Sequence, residues 1–141
     1  IVEPELDIFV SSAVETGCLV VSLDPVEADV FMIAVPTPFH TDQINETTNS
    51  PTPNIDYIIA AIKKIAPYLK SGNLVLLEST SPVGTTDMIT EVLKKEGVIG
   101  IDQIYIAHSP ERVLPGNIMV ELIKNDRIVG GVNNKSTKKV F

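Results

Sequence analysis

The chain has 141 residues, 44% of them hydrophobic, enough for one globular domain whose core buries roughly two-thirds of the unfolded surface. Lys and Arg total 11 against 18 Asp and Glu, a net charge of -7, which argues against a nucleic-acid partner because neutralising a phosphate backbone takes a basic face. The apolar runs, such as Val30 to Val35, are too short to span a bilayer, and a single cysteine excludes an internal disulfide framework or a cysteine-rich metal site.

No basic segment followed by an apolar stretch marks a signal peptide, so the expected setting is soluble and cytoplasmic, with no membrane partner. The first residue is Ile1, already inside a structured pattern, and the charged string NKSTKK stands just before Phe141. These ends suggest a segment of a longer protein.

From Pro4 to Thr16, Leu6, Phe9, Val10, Ala13 and Val14 recur at helical spacing, and Gly17 follows where a helix end favours a left-handed residue. Cys18 reads as a small buried hydrophobe, since no neighbour would activate its thiol. Leu19 to Leu23 and Asp29 to Val35 read as strands, the second apolar enough to be buried on both faces, as in a parallel sheet. Phe39 to Pro53 lacks periodicity and reads as a long surface loop. Its Asn45-Glu46-Thr47 sequon carries no weight in a cytoplasmic setting.

Asn54 or Asp56 can cap the next helix, whose Ile55, Ile58, Ile59, Ile62, Ile65, Ala66 and Leu69 form one stripe. A strand over Asn73 to Leu77, a helix over Gly84 to Glu96, a strand over Ile104 to Ala107, a short helix over Asn117 to Lys124 and a last strand over Arg127 to Gly131 complete the pattern. Strands alternating with helices predict βαβ units and an α/β, Rossmann-like, doubly wound parallel sheet.

In such a sheet ligands lie beyond the carboxyl ends of the strands. Three segments fall there: Pro36-Thr37-Pro38, Glu78 to Gly84, and His108 to Arg112. Each alone reads as an ordinary turn, because Ser and Thr beside Pro bond their own backbone. Three at one edge point to a binding rim, where Thr37 and Thr80 offer hydroxyls and the helix start at Gly84 offers amide groups. Glu111 and Arg112 read equally as a solvated ion pair or as a carboxylate and a guanidinium fork facing a substrate. His108, at a strand end, reads as a residue that satisfies a turn, and His40 begins a polar loop with no partner in view. No Gly-x-Gly-x-x-Gly occurs, so either the domain holds no dinucleotide or its first βαβ unit lies upstream of Ile1.

The strings IVEPELD, EADVFMIAVPTPF, LLESTSPVGTT and SPERVLPGNIMVELIKNDRIVGG resemble the UDP-glucose/GDP-mannose dehydrogenase family, and SPERVLPG resembles its UDP-N-acetylmannosamine branch. The resemblance implies a partial N-terminal NAD-binding domain, with the middle and C-terminal domains outside this chain. It implies a twofold, NAD-dependent oxidation of a UDP-sugar C6 alcohol to the uronic acid, in polysaccharide biosynthesis. Thr37 and Thr80 match positions that contact NAD. Arg112 and Val113 match positions that contact the sugar nucleotide, and Glu111 matches the carboxylate beside the reacting carbon. No metal is implied. Pro115 departs from a second Glu found in the UDP-glucose enzymes, which puts any role of that carboxylate in doubt. The thiolate and Lys that such chemistry needs belong to the family's middle domain, so Cys18 is not the nucleophile, and the homodimer forms largely through that domain. The competing readings are a non-catalytic nucleotide-binding module, a UDP-glucose or UDP-N-acetylglucosamine dehydrogenase, and a related hydroxyacid or phosphogluconate-type dehydrogenase.

Overall fold

The computed structural model describes residue 3, residues 5–45 and residues 49–141, with the backbone alone at 41–43 and 45. In chain order its elements are α1 (Leu6–Glu15), β1 (Val30–Ile33), β2 (Phe39–Asn45), β3 (Ser50–Pro53), α2 (Asp56–Ile65) and β4 (Leu74–Leu77). There follow α3 (Thr85–Lys95), β5 (Tyr105–His108), α4 (Ile118–Lys124), β6 (Gly130–Gly131) and α5 (Asn134–Val140). They fall into two compact units, a larger one of Pro25–Pro110 with Ile128–Phe141 and a smaller one of Ile1–Asp24 with Glu111–Arg127.

The larger unit is built on a sheet of order β1-β4-β5-β6, in which β1, β4 and β5 run parallel. All four residues of β4 are buried, because the strand feeds two cores at once. Val75 and Leu77 join Phe31, Ile33 and Ile106 under Ile58, Ile62 and Ile65 of α2 and Ile89 and Leu93 of α3. Leu74 and Leu76 join Ala107 on the other face, where Val140 of α5 packs. Helices thus cover both faces, as a doubly wound sheet requires. Each fully buried Leu or Ile contributes about 1.5–3 kcal/mol of transfer free energy, so the stripe on α2 is the main local reason that this helix docks. The N-cap residue of α2 is Ile55, which makes no side-chain cap bond, so neither Asn54 nor Asp56 caps the helix; Asn54, just before it, accepts from the Asp56 amide at 2.8 Å in a local turn.

The α/β parallel sheet expected from the sequence is present, with several differences in detail. The last strand is two residues long and antiparallel to β5, not a parallel strand over Arg127 to Gly131. Gly131 has no room for a side chain, since a Cβ there would lie 2.4 Å from the Thr137 amide nitrogen at the start of α5. Strand β1 is buried on one face only: Phe31 and Ile33 are inside, whereas Val30 and Met32 are 49% and 58% exposed. Beside this edge strand a groove of about 530 Å³ is lined by residues that include Val26, Val30, Met32 and Ala61.

Phe39 to Pro53 is not a plain loop but an antiparallel hairpin of β2 and β3, with an irregular register between Phe39 and Ile44. Two prolines in β3 remove ladder donors, which explains both the irregularity and the absence of a strand-like pattern. Of the sequon, Glu46 and Thr47 lie outside the described residues. The segment NKSTKK, unassigned from its sequence, forms most of α5, capped by Asn133 accepting from the Ser136 amide at 2.9 Å.

In the smaller unit, α1 forms where helical spacing placed it, but none of its residues is buried. Leu19 to Leu23 is not a strand among the described residues; Val20 and Val21 are 79% and 85% exposed. An apolar β-branched run needs a neighbouring strand to pair with, and among the described residues no strand pairs with this segment. Cys18, expected to be buried, is exposed.

Candidate functional site

The parallel register that sets Ile33 beside Leu77 and Leu77 beside His108 brings three chain turns to one edge of the larger unit. Past β1 and β4 the main chain stays tied: the carbonyl of Ile33 accepts from the Glu78 and Ser79 amides at 2.9 and 3.2 Å. Ser79, 8% exposed, donates its hydroxyl to the Val35 carbonyl at 2.7 Å. Thr37 is therefore held half-buried two residues beyond that carbonyl, and Thr80 projects, exposed, from the residue after Ser79. The Ser109 amide donates to Leu77 at 2.9 Å, continuing the ladder past β5.

Between Thr80 and α3 the chain turns tightly, with the Thr85 hydroxyl donating to the Pro82 carbonyl at 2.7 Å. Gly84 precedes the helix at φ 89°, a left-handed conformation that favours glycine. A cavity of about 430 Å³ opens here, lined by residues that include Ser81, Pro82, Thr86, His108 and Gly130. His108 closes one side, its Nε2 standing 3.3 Å from the Ser79 carbonyl oxygen. His40 lies in β2, half-buried, two residues past Pro38.

Glu111, Arg112 and Val113 belong to the smaller unit, in a turn fixed in a different way. Between residues 112 and 118 each backbone amide has an acceptor, and most are carboxylates. Glu111 Oε1 accepts from the Arg112 and Val113 amides at 2.6 and 3.1 Å. Glu121 accepts from Leu114 at 2.8 Å. Glu3 accepts from Gly116 and, at 3.3 Å, from Ile118. Pro115 has no amide to satisfy, and Asn117 donates to the Leu114 carbonyl at 3.3 Å. Glu111 Oε2 also pairs with Arg127 at 3.3 Å. Glu111 takes Arg127 as its cation, and no ion pair between Glu111 and Arg112 is present among the described residues. The Arg112 guanidinium makes one long bond, to the Asp126 carbonyl at 3.5 Å, and is exposed.

The donors around Glu121 hold its carboxyl below the usual carboxylate range, the Leu114 amide most and the Asn117 and Asn125 side chains less. Sequence reasoning missed Glu3, Glu121 and Arg127. The spacing of Asn117, Glu121 and Asn125, one helical turn apart, was a usable signal; the link from Glu3 to Gly116 spans too many residues to have left one. Among the described residues no group of three or more His, Cys, Asp or Glu could hold a metal ion. No helix among them is long and apolar enough to cross a membrane.

The UDP-glucose/GDP-mannose dehydrogenase family, NAD binding domain, matches residues 1–141. The chain belongs to this family. A UDP-N-acetyl-D-mannosamine dehydrogenase of Campylobacter jejuni is 50% identical over 143 residues, covering 96% of this chain and 33% of that protein. An NDP-N-acetyl-D-galactosaminuronic acid dehydrogenase of Ralstonia solanacearum is 45% identical, covering 98% of this chain and 33% of its own length. The native structure of the UDP-N-acetyl-mannosamine dehydrogenase from Staphylococcus aureus superposes with a TM-score of 0.81 at 39% identity, over 96% of this chain and 32% of that one. The chain thus spans about a third of the length of the relatives it matches. For this family's domain the cofactor is NAD. Hydroxyls and helix-start amides at the carboxyl edge suit the amide and ribose groups of a dinucleotide, while the chain has no glycine-rich cradle for its pyrophosphate.

Proposed function

We propose that the protein carrying this domain oxidises the C6 alcohol of a UDP-sugar to the uronic acid in two NAD-dependent steps, with UDP-N-acetylmannosamine as substrate and UDP-N-acetylmannosaminuronate as product. The observation that carries this reading is the 50% identity, over nearly the whole chain, to a UDP-N-acetyl-D-mannosamine dehydrogenase. A second reading, a different N-acetylated sugar nucleotide, is favoured by the 45% identity to the galactosaminuronic acid enzyme. A non-catalytic nucleotide-binding module has no comparable support.

In this proposal Thr37 and Thr80 bind NAD at the edge formed by β1 and β4, and the glycine loop for the pyrophosphate comes from residues outside this chain. Arg112 and Val113 hold the sugar nucleotide, the guanidinium offering a planar fork to phosphate or hydroxyl oxygens. Bound NAD supplies the hydride acceptor. A carboxylate has about four lone-pair positions. The Arg112 and Val113 amides take Oε1 of Glu111, and Arg127 takes one side of Oε2. One position on Oε2 is left for a sugar hydroxyl or an ordered water beside the reacting carbon. The thiolate and Lys for the second oxidation come from further domains, as does the dimer contact, and the setting is cytoplasmic.

The test is a panel of UDP-N-acetylmannosamine, UDP-N-acetylgalactosamine, UDP-N-acetylglucosamine and UDP-glucose with the full-length protein, read as NADH absorbance. The proposal expects two NADH per sugar and the highest kcat/KM for UDP-N-acetylmannosamine. Preference for another sugar would replace the substrate, and no NADH with any of them would remove the activity.

A further inference from the structure

His108 and Ser79 carry no role in the proposal above, yet they join the turns that do. Ser79 works in two directions. Its hydroxyl donates to the Val35 carbonyl at 2.7 Å, and its own carbonyl faces His108 Nε2 at 3.3 Å. The first bond fixes the turn leading to Thr37, and the second fixes the peptide that joins Ser79 to Thr80. A carbonyl oxygen can only accept, so the histidine nitrogen facing it must carry a proton. The neutral ring is then the tautomer with hydrogen on Nε2 and an acceptor at Nδ1.

These bonds lie where placement is otherwise soft. The β4 ladder ends at Leu77, the Ser79 amide shares the Ile33 carbonyl with the Glu78 amide, and Thr80 is exposed. Without His108, the peptide plane between Ser79 and Thr80 loses the one contact that the structure gives to its carbonyl from β5. The Thr80 hydroxyl would then sample more directions, and a ligand that needs one of them would have to order it on binding.

We propose that His108 is a positioning residue for the cofactor, acting through the Ser79 carbonyl on Thr80, with Ser79 tying the same rim to the Thr37 turn. This rests on the reading of Thr37 and Thr80 as NAD contacts. The probe is NADH, titrated by its fluorescence into the full-length protein and into its His108→Leu, His108→Gln and Thr80→Val variants, with the KM of each substrate measured alongside. Glutamine places an amide nitrogen near the position of Nε2, whereas leucine removes the donor at similar volume.

A lost hydrogen bond of ordinary strength corresponds to about a 3- to 10-fold weaker NADH affinity in His108→Leu, with recovery to within about twofold in His108→Gln. The KM for the nucleotide sugar should stay within about twofold of the parent in both. Equal affinity in His108→Leu and the parent, or a glutamine variant as weak as the leucine one, would overturn the inference. Should His108→Leu not fold, His108→Asn takes its place: one methylene shorter, it should bind NADH like a donor-less variant, and equality with His108→Gln would contradict the inference. Weak NADH binding in Thr80→Val beside unaltered binding in His108→Leu removes the positioning role alone. Unaltered binding in Thr80→Val removes the reading of the rim as well.

Discussion

The two regions that carry the candidate residues are held by opposite means. At the rim of the larger unit, main-chain carbonyls at the ends of buried strands accept from amides, from the Ser79 hydroxyl and from the His108 ring. In the turn of residues 111 to 118, the amides are the groups to be satisfied, and Glu111, Glu121 and Glu3 satisfy most of them from exposed or half-buried positions. The rim is a by-product of the sheet: wherever β1, β4 and β5 are in register, Thr37 and Thr80 follow. The turn is a product of three acidic side chains, of which Glu121 has its carboxyl lowered by the groups that donate to it, so its shape answers to charge in a way that the rim does not.

The largest expected effect isolates the rim from the rest of the binding surface. Residues 1–141 alone should bind NAD with a Kd no tighter than about millimolar, because they contain no glycine loop for the pyrophosphate. Calorimetry on the isolated chain that gave micromolar binding would show that the rim suffices. Next in size is Gly131→Ala, which forces a Cβ to within 2.4 Å of backbone at the start of α5. It should destabilise the larger unit by about 1–3 kcal/mol, seen as a lower Tm, and an unchanged Tm would mean that the sheet edge yields easily.

A smaller effect separates the two regions by pH. Glu121 has its carboxyl lowered in the folded protein, chiefly by the Leu114 amide. Its contribution is therefore present above the unfolded carboxylate pKa and is lost as pH falls through the lower folded value. Amide exchange at Leu114 should rise with acid relative to exchange at Ser79, after correction for intrinsic rates. Glu121→Gln should weaken that dependence. Parallel behaviour of the two amides would erase the distinction between the regions.

What the sequence shows follows the same division. The α2 stripe from Ile58 to Ile65 and the unbroken apolar run of β4 state their burial directly, whereas the order β1-β4-β5-β6 that places Thr37 and Thr80 at one edge comes from strand pairing that no single segment shows. Leu19 to Leu23 looks equally strand-like, but a strand is a relation to a neighbour and not a property of one segment. The hairpin of β2 and β3 escaped notice because two prolines and an irregular register remove its alternation. Helix α5 did so because its fully buried side chain is Ser136, a polar residue that accepts from the Ile106 amide at 3.2 Å. At the site, the residue types of Glu111 and Arg112 were readable, but their partners were not. Arg127 lies sixteen positions from Glu111, and such long links leave no local pattern.

The central claim is that the rim serves NAD and the acid-capped turn serves the nucleotide sugar. It is tested most directly by steady-state kinetics of Thr80→Val and Arg112→Lys in the full-length protein, each substrate varied in turn. Losing the Thr80 hydroxyl should cost about 0.5–1.5 kcal/mol in NAD binding and leave the sugar KM alone. Replacing the Arg112 fork should cost about 1.5–3 kcal/mol, about a 10- to 150-fold loss in kcat/KM for the nucleotide sugar, with NAD affinity nearly constant. If both variants change the same substrate's KM, or if Arg112→Lys changes kcat/KM by less than about threefold, the division of labour is wrong.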